Sequence, residues 1–320
     1  MPELLLHCLI IIAHNYPLSV LKMKLIDLYI KKNFVFSIEI FPPKTGKGME
    51  KLKSTLKGFR QFVPDYMSVT YGAGGTSREN THEMAVHINH ELGIPAMAHL
   101  TCVSHTTDEI DKVLTSLKNR NIENVMALRG DPPVGTDRFV RPEGGYQYAS
   151  ELISAIRKHS SFAIGAAGYP EGHVENPDKE EDRIHLHEKI ACGAQFIISQ
   201  FFLDNIHFLR WRDLLRHEGV ALPLIAGILP PTNWHSLQSM SAMCGVSIPK
   251  QLAQDLIKQE DDPEVCREIG FDHVERQLEE LLSEGVEGVH LYALNRLETV
   301  ERLGPQLQKA SGESLNAVTV

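Results

Sequence analysis

Eight times along this chain a short apolar run ends in glycine, proline or a polar residue and gives way to a segment with helical spacing. The runs occupy 34–40, 66–71, 95–102, 125–128, 162–169, 195–203, 222–229 and 288–294. They are near-continuously apolar rather than alternating, which is the pattern of strands covered on both faces. The stretches between them carry amphipathic stripes, such as Met49, Leu52, Leu56 and Phe59, or Ile110, Val113, Leu114 and Leu117, the latter after a Thr107–Asp108 N-cap. Further helices are expected over 148–156, 206–215 and 297–303, with several between 233 and 285. Eight strand–helix units predict an α/β fold, the (β/α)8 TIM barrel. A doubly wound open sheet is the alternative, but it usually has fewer strands and a phosphate-binding fingerprint. The glycine-rich 72–77 matches neither the dinucleotide nor the P-loop spacing.

No boundary interrupts the pattern over 31–310, so that span is expected to form one catalytic barrel. Residues 1–30 are expected to form an extension outside it, with a helix packed on the barrel as the other reading. The apolar stretch 4–13 lacks a basic flank and a cleavage site, and is too short to span a bilayer. Met23 could be an alternative start. The polar, small-residue tail 311–320 is expected to be disordered. A net charge of −9 without a basic stripe argues against nucleic acid as a partner. No membrane span is expected. Five cysteines without CxxC or metal-ligand spacing fit free thiols in a reducing cytoplasm, and no metal site is expected.

In a barrel the C-terminal strand ends meet at one mouth. That would gather Glu39, Thr70, His99, Arg129, Asp131, Tyr169, Gln200 and Arg296. The turn Arg129-Gly130-Asp131, closed by Pro132-Pro133, follows the most abrupt apolar-to-polar change. A salt-bridged turn is its plainer meaning. Glu39 stands among Ile38, Ile40 and Phe41, so desolvation should raise its pKa, whereas Asp131 in a polar turn should stay ionised. Carboxyl groups driven apart in this way suit an acid and a fixed anion. His99 in an apolar run is more often a core residue than a ligand. Asp182, His185 and Lys189, at i, i+3 and i+7, share one helix face, which usually means a solvated surface.

The strand tips FSIEIFPPK, SVTYGAGG, AHLTC, ALRGDPP, GYPEGH, ISQFFLD, GILP and YALNR together resemble the methylenetetrahydrofolate reductase family over about 34–305. The resemblance implies an FAD enzyme, an oxidoreductase acting on CH–NH groups. It would take a hydride from NADH or NADPH and reduce 5,10-methylenetetrahydrofolate to 5-methyltetrahydrofolate in a ping-pong cycle, supplying methyl groups for methionine synthesis. It would act in the cytoplasm as a homo-oligomer. Glu39 matches the general acid that protonates folate N10, and Asp131 the anion that stabilises the iminium. Thr70, Gln200 and Arg296 match substrate contacts alongside those two. For FAD the matching positions are Thr70, Tyr71, Ala73, His99, Arg129, Gly130, Asp131, Tyr148, Ala149, Tyr169, His173, Asp182, His185 and Lys189. Ser236 replaces a glutamine found in some bacterial members. The large C-terminal regulatory region of the eukaryotic enzymes has no counterpart here, so no inhibition by S-adenosylmethionine is expected. Other readings are a flavin barrel acting on an amino acid, a flavin-free pterin methyltransferase and a non-catalytic binding barrel.

Overall fold

The computed structural model describes residues 22–71, 78–132, 139–159, 161–176 and 178–312. Eight parallel strands close into one barrel in sequence order, β1 pairing with both β2 and β8. They are β1 (Val35–Ile40), β2 (Tyr66–Val69), β3 (Ala96–Thr101), β4 (Asn124–Leu128), β5 (Ala163–Gly168), β6 (Phe196–Ser199), β7 (Leu224–Ile228) and β8 (Gly288–Tyr292). The barrel expected from the eight repeats is therefore the fold observed.

Helices cover the outside: α1 (Leu25–Lys31), α2 (Gly46–Phe59), α3 (Arg78–Val86), α4 (Thr107–Asn119), α5 (Ala149–His159), α6 (Lys179–Cys192) and α7 (Asn205–His217), then α8 (Trp234–Cys244), α9 (Lys250–Lys258), α10 (Pro263–Ser283) and α11 (Leu297–Ala310). Local chemistry sets their starts. Asp178 accepts from the N–H groups of Glu180 and Glu181, and Asp262 caps α10 with Pro263 at the first helical position. Helix α4 begins at Thr107, so its cap lies one residue before the expected one. Thr106 and Glu109 form a reciprocal capping box there, so the cap is Thr106 rather than Thr107.

Two elements differ from expectation. Strand β6 stops at Ser199, although the apolar run continues to Leu203. Phe201 and Leu203 leave the ladder to pack with Leu229, Leu237, Leu252 and Leu256 beneath α8 and α9, so their hydrophobicity serves a satellite core. The second difference is at the N-terminus. Residues 22–30 do not lie outside the barrel. Helix α1 caps its N-terminal end, with Leu25 fully buried against Val35, Tyr66, Met97 and Phe196. The Leu25 N–H donates to Asn124 Oδ1 at 2.8 Å, and the Tyr29 and Tyr66 hydroxyls meet at 2.9 Å. An open barrel end would expose apolar side chains and strand-end polar groups, and α1 covers both. The rest of the expected extension, and residues 313–320 of the expected tail, lie outside the described residues.

Candidate functional site

Strand pleating alternates side chains between the two faces of the barrel wall. On β1, Ser37 and Glu39 share the inner face with Tyr66 and Ser68 of β2, Met97 and His99 of β3, and His290 and Tyr292 of β8. The register sets Ser37 beside Tyr66 and His290, and Glu39 beside Ser68 and Tyr292. A polar column thus rises through an otherwise apolar interior and ends at Glu39.

Glu39 keeps 19% of its side chain exposed. Its Oε2 lies 3.3 Å from Nε2 of both His99 and His290, and 3.4 Å from Ser68 Oγ. Burial is the largest single influence on this carboxyl and pushes its pKa up, as the sequence implies. The hydrogen bonds and charge of His290 and His99 together outweigh it and bring the pKa down to about 2. The expected upward shift is therefore corrected. Its cause, two histidines from β3 and β8 meeting one carboxylate, is a tertiary fact that neighbours in sequence do not reveal.

Above the column opens a cavity of about 330 Å³, lined by Glu39, Thr70, Tyr71, His99, Arg129, Gly130, Asp131, Tyr169, His173 and Gln200. A cleft of about 380 Å³ continues from it between α5 and α6, lined by Arg129, Tyr148, Ala149, Tyr169, His173, Asp182, His185 and Lys189. Arg129, Tyr169 and His173 belong to both, so the two form one elongated groove. Of the expected positions, Arg296 stands apart. It is exposed on the loop after β8, with Nη1 donating to Thr232 Oγ1 at 3.0 Å, and lines neither cavity. Ala73 lies outside the described residues.

Each part of the groove has a distinct chemistry. Gln200 Oε1 accepts from the Phe201 N–H at 3.0 Å, which among the described residues leaves its NH2 group for a ligand. Gly130 has φ +87°, and a Cβ there would meet Val103 at 2.8 Å, so the turn between Arg129 and Asp131 requires glycine. Arg129 makes a bidentate pair with Glu175, at 2.8 and 2.6 Å, and stacks over Phe139. Its guanidinium is thus anchored by protein rather than free. The Tyr148 and His185 rings stack at 6.0 Å at the outer end of the cleft.

Lys189 reaches back to donate to the Ala167 carbonyl at 3.0 Å and lies over the Tyr169 ring. Burial lowers its pKa to about 8, with Asp182 opposing and Arg129 reinforcing that shift. Burial in turn raises the pKa of Asp182. The face shared by Asp182, His185 and Lys189 is therefore a cleft wall, not a solvated surface.

The groove suits FAD on its own geometry. It is two-lobed, with a half-buried amine and a ring pair in one lobe. In the other lobe Thr101 Oγ1 is buried without a hydrogen-bond partner among the described residues. Thr101, Ser68 and His290 were not singled out from the sequence. The available signal was parity: each lies an even number of residues from an inward-facing neighbour on its own strand. Among the described residues no cluster of His, Cys, Asp or Glu could hold a metal ion, and no helix is long and apolar enough to cross a membrane. Cys102, Cys192, Cys244 and Cys266 are free thiols.

Comparison with known proteins adds independent support. The family model described as methylenetetrahydrofolate reductase matches residues 24–308. The chain is 36% identical over 281 residues to methylenetetrahydrofolate reductase 1 of Schizosaccharomyces pombe, covering 86% of this chain and 46% of that protein. It is 34% identical over 271 residues to methylenetetrahydrofolate reductase (NADH) 1 of Arabidopsis thaliana, covering 81% and 46%. It is 35% identical over 262 residues to the 5,10-methylenetetrahydrofolate reductase of Escherichia coli, covering 82% and 86%. The chain thus spans about half the length of the fungal and plant relatives and most of the bacterial one. Among solved structures, an uncharacterized protein from Clostridium thermocellum that binds two copies of 5-methyl-5,6,7,8-tetrahydrofolic acid shares the fold. It has a TM-score of 0.58 and 16% identity, over 89% of this chain and 98% of that one. With its barrel, its groove and a family match over nearly all of both, the chain belongs to the methylenetetrahydrofolate reductase family.

Proposed function

We propose that this chain binds FAD and reduces 5,10-methylenetetrahydrofolate to 5-methyltetrahydrofolate with electrons from NADH or NADPH. The observation that carries this reading is the single groove that joins Glu39, Asp131 and Gln200 to Tyr148, Asp182, His185 and Lys189. When bound, FAD supplies the two-electron carrier that links the nicotinamide to the folate.

The protein supplies binding, orientation and proton control. Tyr148 and His185 offer a stacking surface for an adenine, and Lys189 offers an ammonium for phosphate. Arg129, fixed by Glu175, holds the turn that presents Asp131 at the mouth. Glu39 protonates N10 of the folate, which opens the five-membered ring and leaves a cationic iminium at N5. Asp131 stabilises that cation as it forms. Gln200 presents its NH2 group to whichever substrate occupies the mouth, as alternating occupancy in a ping-pong cycle requires. NADH is the first donor to test, because the plant relatives are named for it.

Purified protein supplied with FAD should show flavin bands that bleach on anaerobic addition of NADH or NADPH and return with methylenetetrahydrofolate. A protein that retains no flavin contradicts the reading, and one whose bands do not return with folate assigns it another substrate. Glu39→Gln should slow the folate half-reaction by roughly 10²–10⁴-fold while bleaching by NADH continues. Normal folate turnover in that variant would remove Glu39 from its role.

A further inference from the structure

A buried side-chain polar atom without a hydrogen bond is rare in a folded chain, and one that lines a cavity marks a place for a ligand atom or a water. Among the described residues, two that line the groove carry such an atom: His99 at Nε2 and Thr101 at Oγ1. His99 Nε2 has the Glu39 carboxylate to face, at 3.3 Å. For the Thr101 hydroxyl no protein group does the same among the described residues. We infer that Thr101 is a cofactor contact, its hydroxyl donating a hydrogen bond to the pyrimidine edge of the flavin ring. This contact deepens the FAD reading proposed above, on which it rests, and fixes which way the ring faces.

The position of Thr101 favours the cofactor over the folate. It ends β3, is 6% exposed, and faces inward with His99 and Met97, two and four residues before it. Its strand partner is Leu128, and the N–H groups of Cys102 and Val103 both donate to the Arg129 carbonyl at 3.1 Å. Leu128 and Arg129 line both lobes, so Thr101 stands where the outer lobe opens into the mouth. Gly130 keeps that place uncrowded, since a Cβ there would lie 3.1 Å from Thr101 Cβ. Gln200, after β6, and Tyr292, on β8, stand across the barrel. A ligand that enters the mouth from the outer lobe therefore meets Thr101 before it reaches either of them.

The polarity of the mouth sets the edge of the ring that Thr101 meets. Thr70, His99 and Thr101 make the β2–β3 wall polar, whereas Met126, Ala167 and Ile198 make the β4–β6 wall apolar. An isoalloxazine is divided in the same way, with an apolar dimethylbenzene edge opposite a pyrimidine edge of carbonyl oxygens and ring nitrogens. Matching like to like turns the pyrimidine edge towards Thr101. That edge consists mostly of acceptors, and a threonine hydroxyl can donate to it. It also gains negative charge when the flavin is reduced. Hydrogen bonds to charged groups are the stronger ones, so the Thr101 bond holds reduced flavin more firmly than oxidised flavin.

Two variants test this on the full chain. Thr101→Val removes the hydroxyl and keeps the shape, and Thr101→Ser keeps the hydroxyl. Without flavin, Thr101→Val should melt at or above the wild-type temperature, because it deletes a group that has no partner. In fluorescence titrations it should bind FAD and FMN alike about 2–10-fold more weakly, since the contact lies at the end the two share. Reduced flavin should lose about tenfold more than oxidised flavin, which lowers the midpoint potential by about 30 mV for a two-electron couple. Thr101→Ser should keep the wild-type affinities and potential. A lower melting temperature for flavin-free Thr101→Val would show that the hydroxyl bonds within the protein, and would overturn the inference. Unchanged affinity for both flavins in Thr101→Val would overturn it too, by leaving the hydroxyl to a water. So would a Thr101→Ser protein as weak as Thr101→Val, which assigns the loss to the methyl group. Wild-type protein that takes up no flavin is a different failure, since it removes the FAD reading itself and this contact with it.

Discussion

Lys189 shows how one residue can serve the empty and the loaded protein differently. Its amine sits in a cleft that lowers its pKa to about 8, from an ordinary value of 10.5. In the empty protein the charged form is penalised. The sign follows: unfolded chains bind more protons than folded ones between about 8 and 10.5, so this residue makes stability rise with pH across that window. A phosphate in the cleft reverses the preference by stabilising the ammonium. FAD should therefore bind most tightly below pH 8 and progressively more weakly as pH rises through that value. Fluorescence titrations of FAD between neutral and alkaline pH measure this directly. Lys189→Met should bind more weakly at neutral pH and lose most of the dependence. A wild-type affinity that is flat across pH 8 would remove Lys189 from the phosphate.

Among the elements, α1 is the one whose role the sequence left most open. Read alone, 25–31 is a short amphipathic stretch after an apolar one, and nothing in it says what it packs on. The strands were legible because burial on both faces leaves unbroken apolar runs, and so were the strand tips that line the groove. Three things were not legible. The length of β6 was overestimated, since Phe201 and Leu203 are apolar for a different core. The direction of the Glu39 shift depends on His290, which sits 251 residues away. The plug is the third: α1 closes the barrel through contacts with β1, β2, β3 and β6 that have no local trace. Leu25 supplies its apolar anchor. Leu25→Ala should cost about 2–5 kcal/mol, the range for emptying a packed leucine site, as read by chemical denaturation. A cost below about 0.5 kcal/mol would mean that α1 merely drapes over the barrel end.

For the whole molecule, the proposed reading makes FAD a thermodynamic partner of the fold. A ligand that binds only the folded state at 100 times its Kd adds about 2.7 kcal/mol of stability. For a chain of this size that corresponds to a rise of roughly 3–6 °C in Tm. How the gain divides along the ligand follows from the two lobes. The mouth, with Thr70, His99, Thr101 and Gln200, can engage only one end of an extended dinucleotide. Tyr148, Asp182, His185 and Lys189 line the other lobe, along α5 and α6. FMN, which lacks the adenosine half, should therefore raise Tm less than FAD at the same concentration. Tyr148→Ala should bring the two shifts together by removing one face of the stack, and it should leave the FMN shift unchanged. Equal shifts for FMN and FAD in the unaltered protein would mean that the outer lobe binds nothing of the cofactor. The stacked Tyr148 and His185 would then be a feature of α5–α6 packing alone, and the dinucleotide would have to lie across the barrel mouth instead.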